Sequence, residues 1–453
     1  MKPYPYQENA INECSLSFKN YKSIILCAPT GSGKTIMFSE IVKRAVIKNT
    51  CTLVLTNRIE LLKQAAESIK YEVEEISANS KYIHTDKIVY VAMVQTLINR
   101  IKNGLTINPK LIIIDECHIG SFNKILELYP DALKLGCTAT PEGKHIPLLY
   151  QKMVFAPSIS KLIQMGFLVD YIPYQMIDDF SDLDIVKGEF TISSLMAHFD
   201  KPKLYSGVVE NWLKYGHGKK TIVFCVNIQH TINTYNSFQA AGINAGYITS
   251  NTPDKERPIV LEQFKSGHIT VLVNCGILTT GYNEPSIECV VINRATLSRP
   301  LFHQMIGRGS RTYLDKQNFI CLDFGQNHKR HGMWNEDIEW TLEQKKIRPG
   351  VAPVKDCTCG ALILASAKLC KYCGHKFEFK KSGPESGIMA IVEKPKDIKK
   401  LTVDELIKLE FDGVYKAQYI WRILRYRDIG QLKEYAEKKG FSKGWVFQQL
   451  KLK

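Results

Sequence analysis

Ser23-Ile-Ile-Leu-Cys27, followed by Ala28-Pro-Thr-Gly-Ser-Gly-Lys-Thr35 and then Ile36-Met-Phe-Ser-Glu-Ile-Val-Lys-Arg-Ala-Val46, is the stretch that decides the fold. A five-residue apolar run reads as a buried strand, and the run after Thr35 carries helical periodicity. Between them lie two glycines, a lysine and a threonine in the order of a phosphate-binding loop. Glycines let successive backbone N–H groups converge on phosphate oxygens, and the following helix adds the positive end of its dipole. The spacing therefore assigns Pro29, Thr30, Gly31, Ser32 and Gly33 to the phosphate cradle. Lys34 is expected to bridge the outer phosphates of ATP, and Thr35 to hold Mg2+ through its hydroxyl. Ala28 stands where the strict pattern has its first glycine, so the strand–loop–helix context carries this assignment.

Working outward, β-branched runs alternate with helical stretches through Pro141: after the strand above come CTLVLTN, KIVYVAMV, KLIIIDE and KLGCTAT. Apolar runs without in–out alternation indicate strands covered on both faces of a parallel sheet. A second series follows, with KTIVFCV, AGYITS, ITVLVNC, CVVINRA and NFICLDFG. The expected architecture is α/β. Residues 1–150 form one domain, 151–205 an irregular connector, 206–340 a second α/β domain, 341–380 a cysteine-rich knuckle, 381–400 a linker and 401–453 a helical basic module. In the last of these, TVDE has the spacing of a capping box, and VYKAQYIWRILRYRD is apolar at near-helical period.

The 453 residues exceed what one core usually organises, and a hydrophobic share of 45% with 23% charged residues excludes fibrous and wholly disordered chains. No apolar run approaches the ~18 residues of a membrane span. MKPYPYQENA lacks an apolar leader core, so a cytoplasmic site is expected, in a bacterium or in a host if the chain is phage-encoded. The net charge of +15 is uneven: Met1–Trp340 carries 36 basic and 32 acidic residues, Thr341–Lys453 24 and 13. An excess of that kind at one end fits a polyanionic partner. Nine of the thirteen cysteines are scattered singly, several in apolar runs, which argues for buried reduced thiols rather than a disulfide framework.

The second chemical signal is Leu111-Ile-Ile-Ile-Asp-Glu116, a buried strand that ends in paired acids and continues into Cys117-His118. Asp115 is placed to hold Mg2+, and Glu116 to act as the general base on the attacking water. Together with Lys34, these residues lead to the expectation of an ATPase.

Asp115-Glu-Cys-His118 resembles the DExH box of superfamily 2 helicases, and other motifs of that family follow in its order. Tyr4-Pro-Tyr-Gln7 resembles the glutamine motif, which implies adenine recognition by Tyr6 and Gln7. Thr56-Asn-Arg58 resembles motif Ia, Val94-Gln-Thr96 motif Ib and Thr138-Ala-Thr140 motif III. Val223-Phe-Cys225 resembles motif IV, Thr279-Thr-Gly281 motif V and Gln304-Met-Ile-Gly-Arg308-Gly-Ser-Arg311 motif VI. Together they span residues 4–311, about two thirds of the chain. The resemblance implies two tandem RecA-like domains with ATP between them. Gln304, Arg308 and Arg311 would close onto the γ-phosphate, the arginines neutralising charge in the transition state. It also implies nucleic-acid contacts at Arg58, Gln95, Thr96, Thr279 and Thr280, directed at phosphates and so independent of sequence. Motif V departs from the family at Asn283, where an aspartate is usual. Asp323-Phe-Gly-Gln-Asn-His-Lys-Arg-His-Gly332 and Gly440-Phe-Ser-Lys-Gly-Trp445 resemble segments of RadD-like bacterial and phage helicases. That implies DNA, forked, branched or single-stranded, in replication, repair or recombination, with proteins of those processes as candidate partners.

Cys357-Thr-Cys359 and Cys370-Lys-Tyr-Cys373 form a two-knuckle pattern. Each pair puts two thiolates on one turn, and four sulfurs complete a closed, structural Zn2+ site. Lysines flank the knuckles, and in the stretch after Tyr415 Arg422 and Arg425 interleave with aromatic residues. Arginines on phosphates and rings on unpaired bases would make this an auxiliary DNA grip. Against that stands an amphipathic helix whose Ile420, Ile423 and Leu424 serve a small core. The expected function is an ATP-dependent DNA helicase or translocase. Its rivals are an RNA helicase of the same superfamily, a duplex translocase that does not separate strands, and a zinc protein whose ATPase is only a switch.

Overall fold

The computed structural model describes residues 2–342 except 58, 70, 121, 177–182, 187 and 280. Beyond these it describes residues 354–356, 362–364, 389–392, 401–411, 420, 424, 427–441 and 446.

The first lobe is a seven-stranded, wholly parallel sheet of β1 (Ser23–Cys27), β2 (Thr52–Thr56), β3 (Val73–Ile76), β4 (Val89–Met93), β5 (Leu111–Asp115), β6 (Leu133–Thr138) and β7 (Lys152–Phe155). Its order is β3-β4-β2-β5-β6-β1-β7. Every residue of β1 and β2 is buried, because alternate side chains serve two cores. Ile24 and Leu26 pack with Phe38 and Ile41 of helix Lys34–Ile47 and with Ile11 of helix Pro5–Ser17. Ile25 and Cys27 pack on the opposite face with Leu97 and Ile125. Deleting a ring such as Phe38, 1% exposed, would cost about 3–5 kcal/mol. Parallel strands bring all their C-terminal ends to one rim, so the segments after β1, β5 and β6 meet there.

The second lobe repeats the plan with β8 (Asp170–Met176), a two-stranded hairpin of β9 (Ile185–Val186) and β10 (Glu189–Phe190), β11 (Thr221–Phe224), β12 (Ala245–Ile248), β13 (Val271–Asn274), β14 (Cys289–Ile292) and β15 (Asn318–Asp323). β16 (Val354–Asp356) pairs antiparallel with β17 (Leu362–Leu364), and β18 (Met389–Ile391) lies far along the chain. The main sheet runs β12-β13-β11-β14-β15-β8-β18, parallel except for β18, which is antiparallel to β8.

All ten strands expected from the apolar runs are present. Residues 151–205, expected as an irregular connector, instead contain β7 of the first sheet, β8 of the second and the β9–β10 hairpin. The polar-rich sequence of β8, DYIPYQM with Pro173 inside it, hides a strand that the neighbouring sheet makes. Residues 381–400, expected as a linker, contain β18, whose Met389 is buried in the second lobe's core. The second α/β domain does not end cleanly at 340. Met333 and Trp334 are buried in the second lobe, whereas Trp340 and Leu342 pack against the first lobe's core.

Residues 393–453 form a separate compact unit. Helix Val403–Phe411 opens with the expected capping box: Glu405 N–H donates to Thr402 Oγ1 (3.3 Å) and Thr402 N–H to Glu405 Oε2 (3.0 Å). With helix Ile429–Lys438 it encloses a small core of Leu406, Ile420, Leu424, Leu432 and Tyr435. Ile420 and Leu424 therefore face that core, as the amphipathic reading required. Among the described residues no helix is long and apolar enough to cross a membrane.

Candidate nucleotide site between the lobes

The loop after β1 takes the geometry its glycines permit. Gly31 and Gly33 have φ of +88° and +79°, and a Cβ on Gly33 would stand 2.3 Å from Gln7 Nε2. Gln7 occupies that space. Its amide donates to the Ser32 carbonyl (2.8 Å) and accepts from Tyr4 N–H (2.8 Å), while the Tyr6 hydroxyl donates to the same carbonyl (2.8 Å). The resemblance implied that Tyr6 and Gln7 read adenine; in this structure both are buried and brace the loop. The exposed ring of the segment is Tyr4, 4.7 Å from the ring of Phe167. Ser32 Oγ donates back to the Pro29 carbonyl (2.7 Å), and Thr35 follows Lys34 in the first turn of the helix.

At the end of β5, Glu116 adopts φ of +53°, an uncommon conformation worth roughly 1–3 kcal/mol of strain. Its carboxylate lies 2.8 Å from Lys34 Nζ. Burial alone would lower the Lys34 pKa, but the charges of Glu116 and Asp115 outweigh it and hold the ammonium charged. Burial would raise the Glu116 carboxyl, but Lys34 and His118 outweigh that and keep it below the usual range. Asp115 is pushed up, first by burial and then by the adjacent Glu116 charge. Two neighbouring acids, Glu116 buried and Asp115 half-buried, beside one ammonium are a donor set that a divalent cation would relieve, so Asp115 and Thr35 fit the Mg2+ expectation. His118 Nδ1 stands 2.9 Å from Thr138 Oγ1 and 3.3 Å from Glu116 Oε2, which links the acidic motif to motif III.

Motif VI of the second lobe lies directly on this loop. A Cβ on Gly307 would meet Thr30 Cγ2 at 2.5 Å, and one on Gly31 would meet Leu168 Cδ2 at 2.8 Å and Ser310 Oγ at 3.2 Å. Leu168 pairs with Arg311 as an isolated bridge, and Val169 N–H donates to the Ser310 carbonyl (2.8 Å). Arg308 and Arg311 were expected on the γ-phosphate. In this arrangement both guanidinium groups donate to the Tyr282 carbonyl, and Arg308 also to that of Thr279 (2.8 Å). A guanidinium carries donors alone, so backbone carbonyls are its partners inside its own lobe. Gln304 is buried on helix Arg299–Ile306. Behind the loop, Pro29, Thr30, Ala139, Ala156, His303 and Trp340 line a cavity of about 240 Å³.

The expected nucleic-acid residues are dispersed. Gln95 is exposed and Thr96 half-buried on helix Val94–Lys102, at the first lobe's rim. Thr279 is 2% exposed and donates its hydroxyl to the Gly276 carbonyl (3.0 Å). Arg58, Thr280, Arg422 and Arg425 lie outside the described residues, as do Cys357, Cys359, Cys370 and Cys373. Among the described residues no group of three or more His, Cys, Asp or Glu forms a metal cluster.

Three features were not read from sequence. Phe167 and Leu168 cover the loop from within the expected connector. Arg299 at the start of the motif VI helix pairs with Glu142 of the first lobe at 3.3 Å. His118 bonds to motif III. The only sequence sign of the second was an acid two residues after Thr140, too common a feature to single out.

Two family models match the chain: "Type III restriction enzyme, res subunit" over residues 1–143 and "Helicase conserved C-terminal domain" over residues 204–313. A 51.5 kDa protein of Lactococcus phage (isolate 7-9) is 30% identical over 381 residues, 81% of each chain. The ATP-dependent helicase-type protein IRC3 of Saccharomyces cerevisiae is 31% identical over 349 residues, 70% of this chain but about half, 51%, of its own length. A fragment of an HsdR-type subunit of a type I restriction enzyme from Vibrio vulnificus superposes with a TM-score of 0.57 at 23% identity, over 73% of this chain and 66% of that one, which is a likeness of fold.

Proposed function

Because the chain belongs to the DExH type of superfamily 2 helicases, ATP-dependent enzymes of nucleic acid, we propose that it uses ATP to translocate on and separate strands of DNA, with forked or branched forms as preferred substrates. The observation that carries the reading is the Lys34–Glu116 contact at 2.8 Å beneath a loop on which motif VI of the other lobe already rests. In this arrangement the Lys34 ammonium pairs with the Glu116 carboxylate. Phosphates bound in the cradle would draw Lys34 to themselves, and Glu116 would then be free to accept a proton from the attacking water. Asp115 and Thr35 would hold Mg2+, whose chemistry is to neutralise charge on the phosphate oxygens. Arg308 and Arg311 adjoin Gly307 and Ser310, the motif VI residues that meet the loop, and exchanging their carbonyl acceptors for the γ-phosphate would couple closure of the lobes to ATP.

DNA rather than RNA is favoured by the family model of the first lobe, which describes a restriction enzyme; the basic last quarter of the chain suits either polyanion. Contacts at Gln95 and Thr96 would serve the phosphate backbone, and Arg58, Thr280, Arg422 and Arg425 are further candidates. Cys357, Cys359, Cys370 and Cys373 are proposed to bind one structural Zn2+. About one equivalent of zinc in protein prepared without chelators supports that site, and less than half an equivalent removes it.

The deciding experiment compares ATP turnover and strand displacement on matched DNA and RNA forks, flaps, four-way junctions and blunt duplex. Stimulation and unwinding on DNA forks are expected. Equal or better stimulation by RNA would move the assignment to an RNA helicase. Turnover on blunt duplex without strand separation would make it a duplex translocase.

A further inference from the structure

The entry to the motif VI helix is fixed by a carboxylate from outside every recognised motif. Glu189, on β10, receives three hydrogen bonds from consecutive residues just before helix Arg299–Ile306. Thr296 Oγ1 (2.7 Å) and Ser298 N–H (3.2 Å) donate to Oε2, and Leu297 N–H (2.8 Å) to Oε1. Ser298 is the N-cap, its hydroxyl accepting Leu301 N–H at 3.3 Å, so Glu189 grips the cap residue and its two predecessors. Backbone N–H groups at a helix start lack partners within the helix, and a negative charge there also complements the dipole. The hairpin that delivers Glu189 is itself anchored. Phe190 is buried in the second lobe's core, and the Arg330 guanidinium lies over its ring at 5.1 Å.

We propose that Glu189 is a positioning residue for ATP hydrolysis, setting the pose of the helix that presents Gln304, Arg308 and Arg311 to the first lobe. The inference rests on the ATPase reading above. The helix is eight residues long, about 12 Å, so a tilt at its start is carried to its far end. That far end is where Gly307 meets Thr30, and its first turn is where Arg299 meets Glu142 of the first lobe. These two of the contacts between the lobes therefore depend on where Glu189 holds residues 296–298. A misplacement of about 1 Å at reacting groups costs on the order of a hundredfold in rate.

The test uses the full chain with DNA and compares wild type, Glu189→Ala, Glu189→Gln and Lys34→Ala. For Glu189→Ala, kcat for ATP is expected to fall by about tenfold or more while KM changes less than about twofold, because the cradle and Gln7 are untouched. Glu189→Gln keeps one acceptor oxygen and should recover part of the rate. Hydrogen exchange of residues 294–306 should quicken by at least about tenfold in Glu189→Ala. Unchanged kcat, or kcat and KM shifting in parallel with a lowered Tm, would overturn the proposal. If wild type and Lys34→Ala are equally inactive, the ATPase reading fails; exchange that is also unchanged at residues 294–306 overturns the placement itself.

Discussion

Lys34 and Glu116 hold each other in charged form inside the first lobe, so removing either affects both rate and local electrostatics. Glu116→Gln is expected to lower nucleic-acid-stimulated kcat by about 10²–10⁴-fold, measured as phosphate release at saturating ATP. Retained turnover would remove Glu116 as the base. His230 offers a separate, pH-dependent test. It is fully buried, and its Nδ1 accepts Val226 N–H at 3.2 Å, a bond that only the unprotonated nitrogen can make. Burial lowers its pKa to about 4. The folded chain thus binds fewer protons than the unfolded one, and stability present at pH 7 is lost as pH falls from about 6.5 through 4. The loss amounts to about 3 kcal/mol for this one group. His230→Gln should flatten the acid limb of the thermal midpoint against pH; an unchanged limb would assign the acid sensitivity elsewhere.

Elements meet in this protein through glycines whose missing side chains let backbones touch. At Gly33 a methyl group would collide with Gln7 and would also strain a left-handed backbone. Gly33→Ala is therefore expected to weaken ATP binding, read as a rise in Kd for a fluorescent nucleotide. Gly307 has an ordinary helical φ of −59°, so Gly307→Ala strains no dihedral. Its methyl would instead press on Thr30 across the lobes. Nucleotide affinity should then remain near wild type while kcat falls by about tenfold or more, because closure is obstructed. Equal losses in both quantities would mean that the contact only holds the fold.

Charge and connectivity operate at the scale of the whole molecule. Residues 393–453 carry 15 basic and 9 acidic residues and form their own compact unit. Their removal should weaken DNA binding and flatten its salt dependence more than it lowers basal ATPase. Unchanged affinity would make that charge a solubility feature. The cut belongs at 393 rather than 341. Removing residues from 341 onward would also take β18 from the second sheet and Leu342 from the first lobe's core.

The sequence by itself determined the ten buried strands, the phosphate loop, the acidic pair and the order of motifs. Those are local signals: period, spacing, and residue types that the chemistry requires. Tertiary structure alone decided the rest. DYIPYQM becomes a strand because β15 lies beside it, and the hairpin that holds Glu189 gains its role from residues more than a hundred positions away. Tyr6 and Gln7 brace the loop because Gly33 leaves them the space, and Arg308 and Arg311 rest on carbonyls of their own lobe. Each of these outcomes depends on which neighbour supplies the partner for a buried polar group, and only the folded chain settles that.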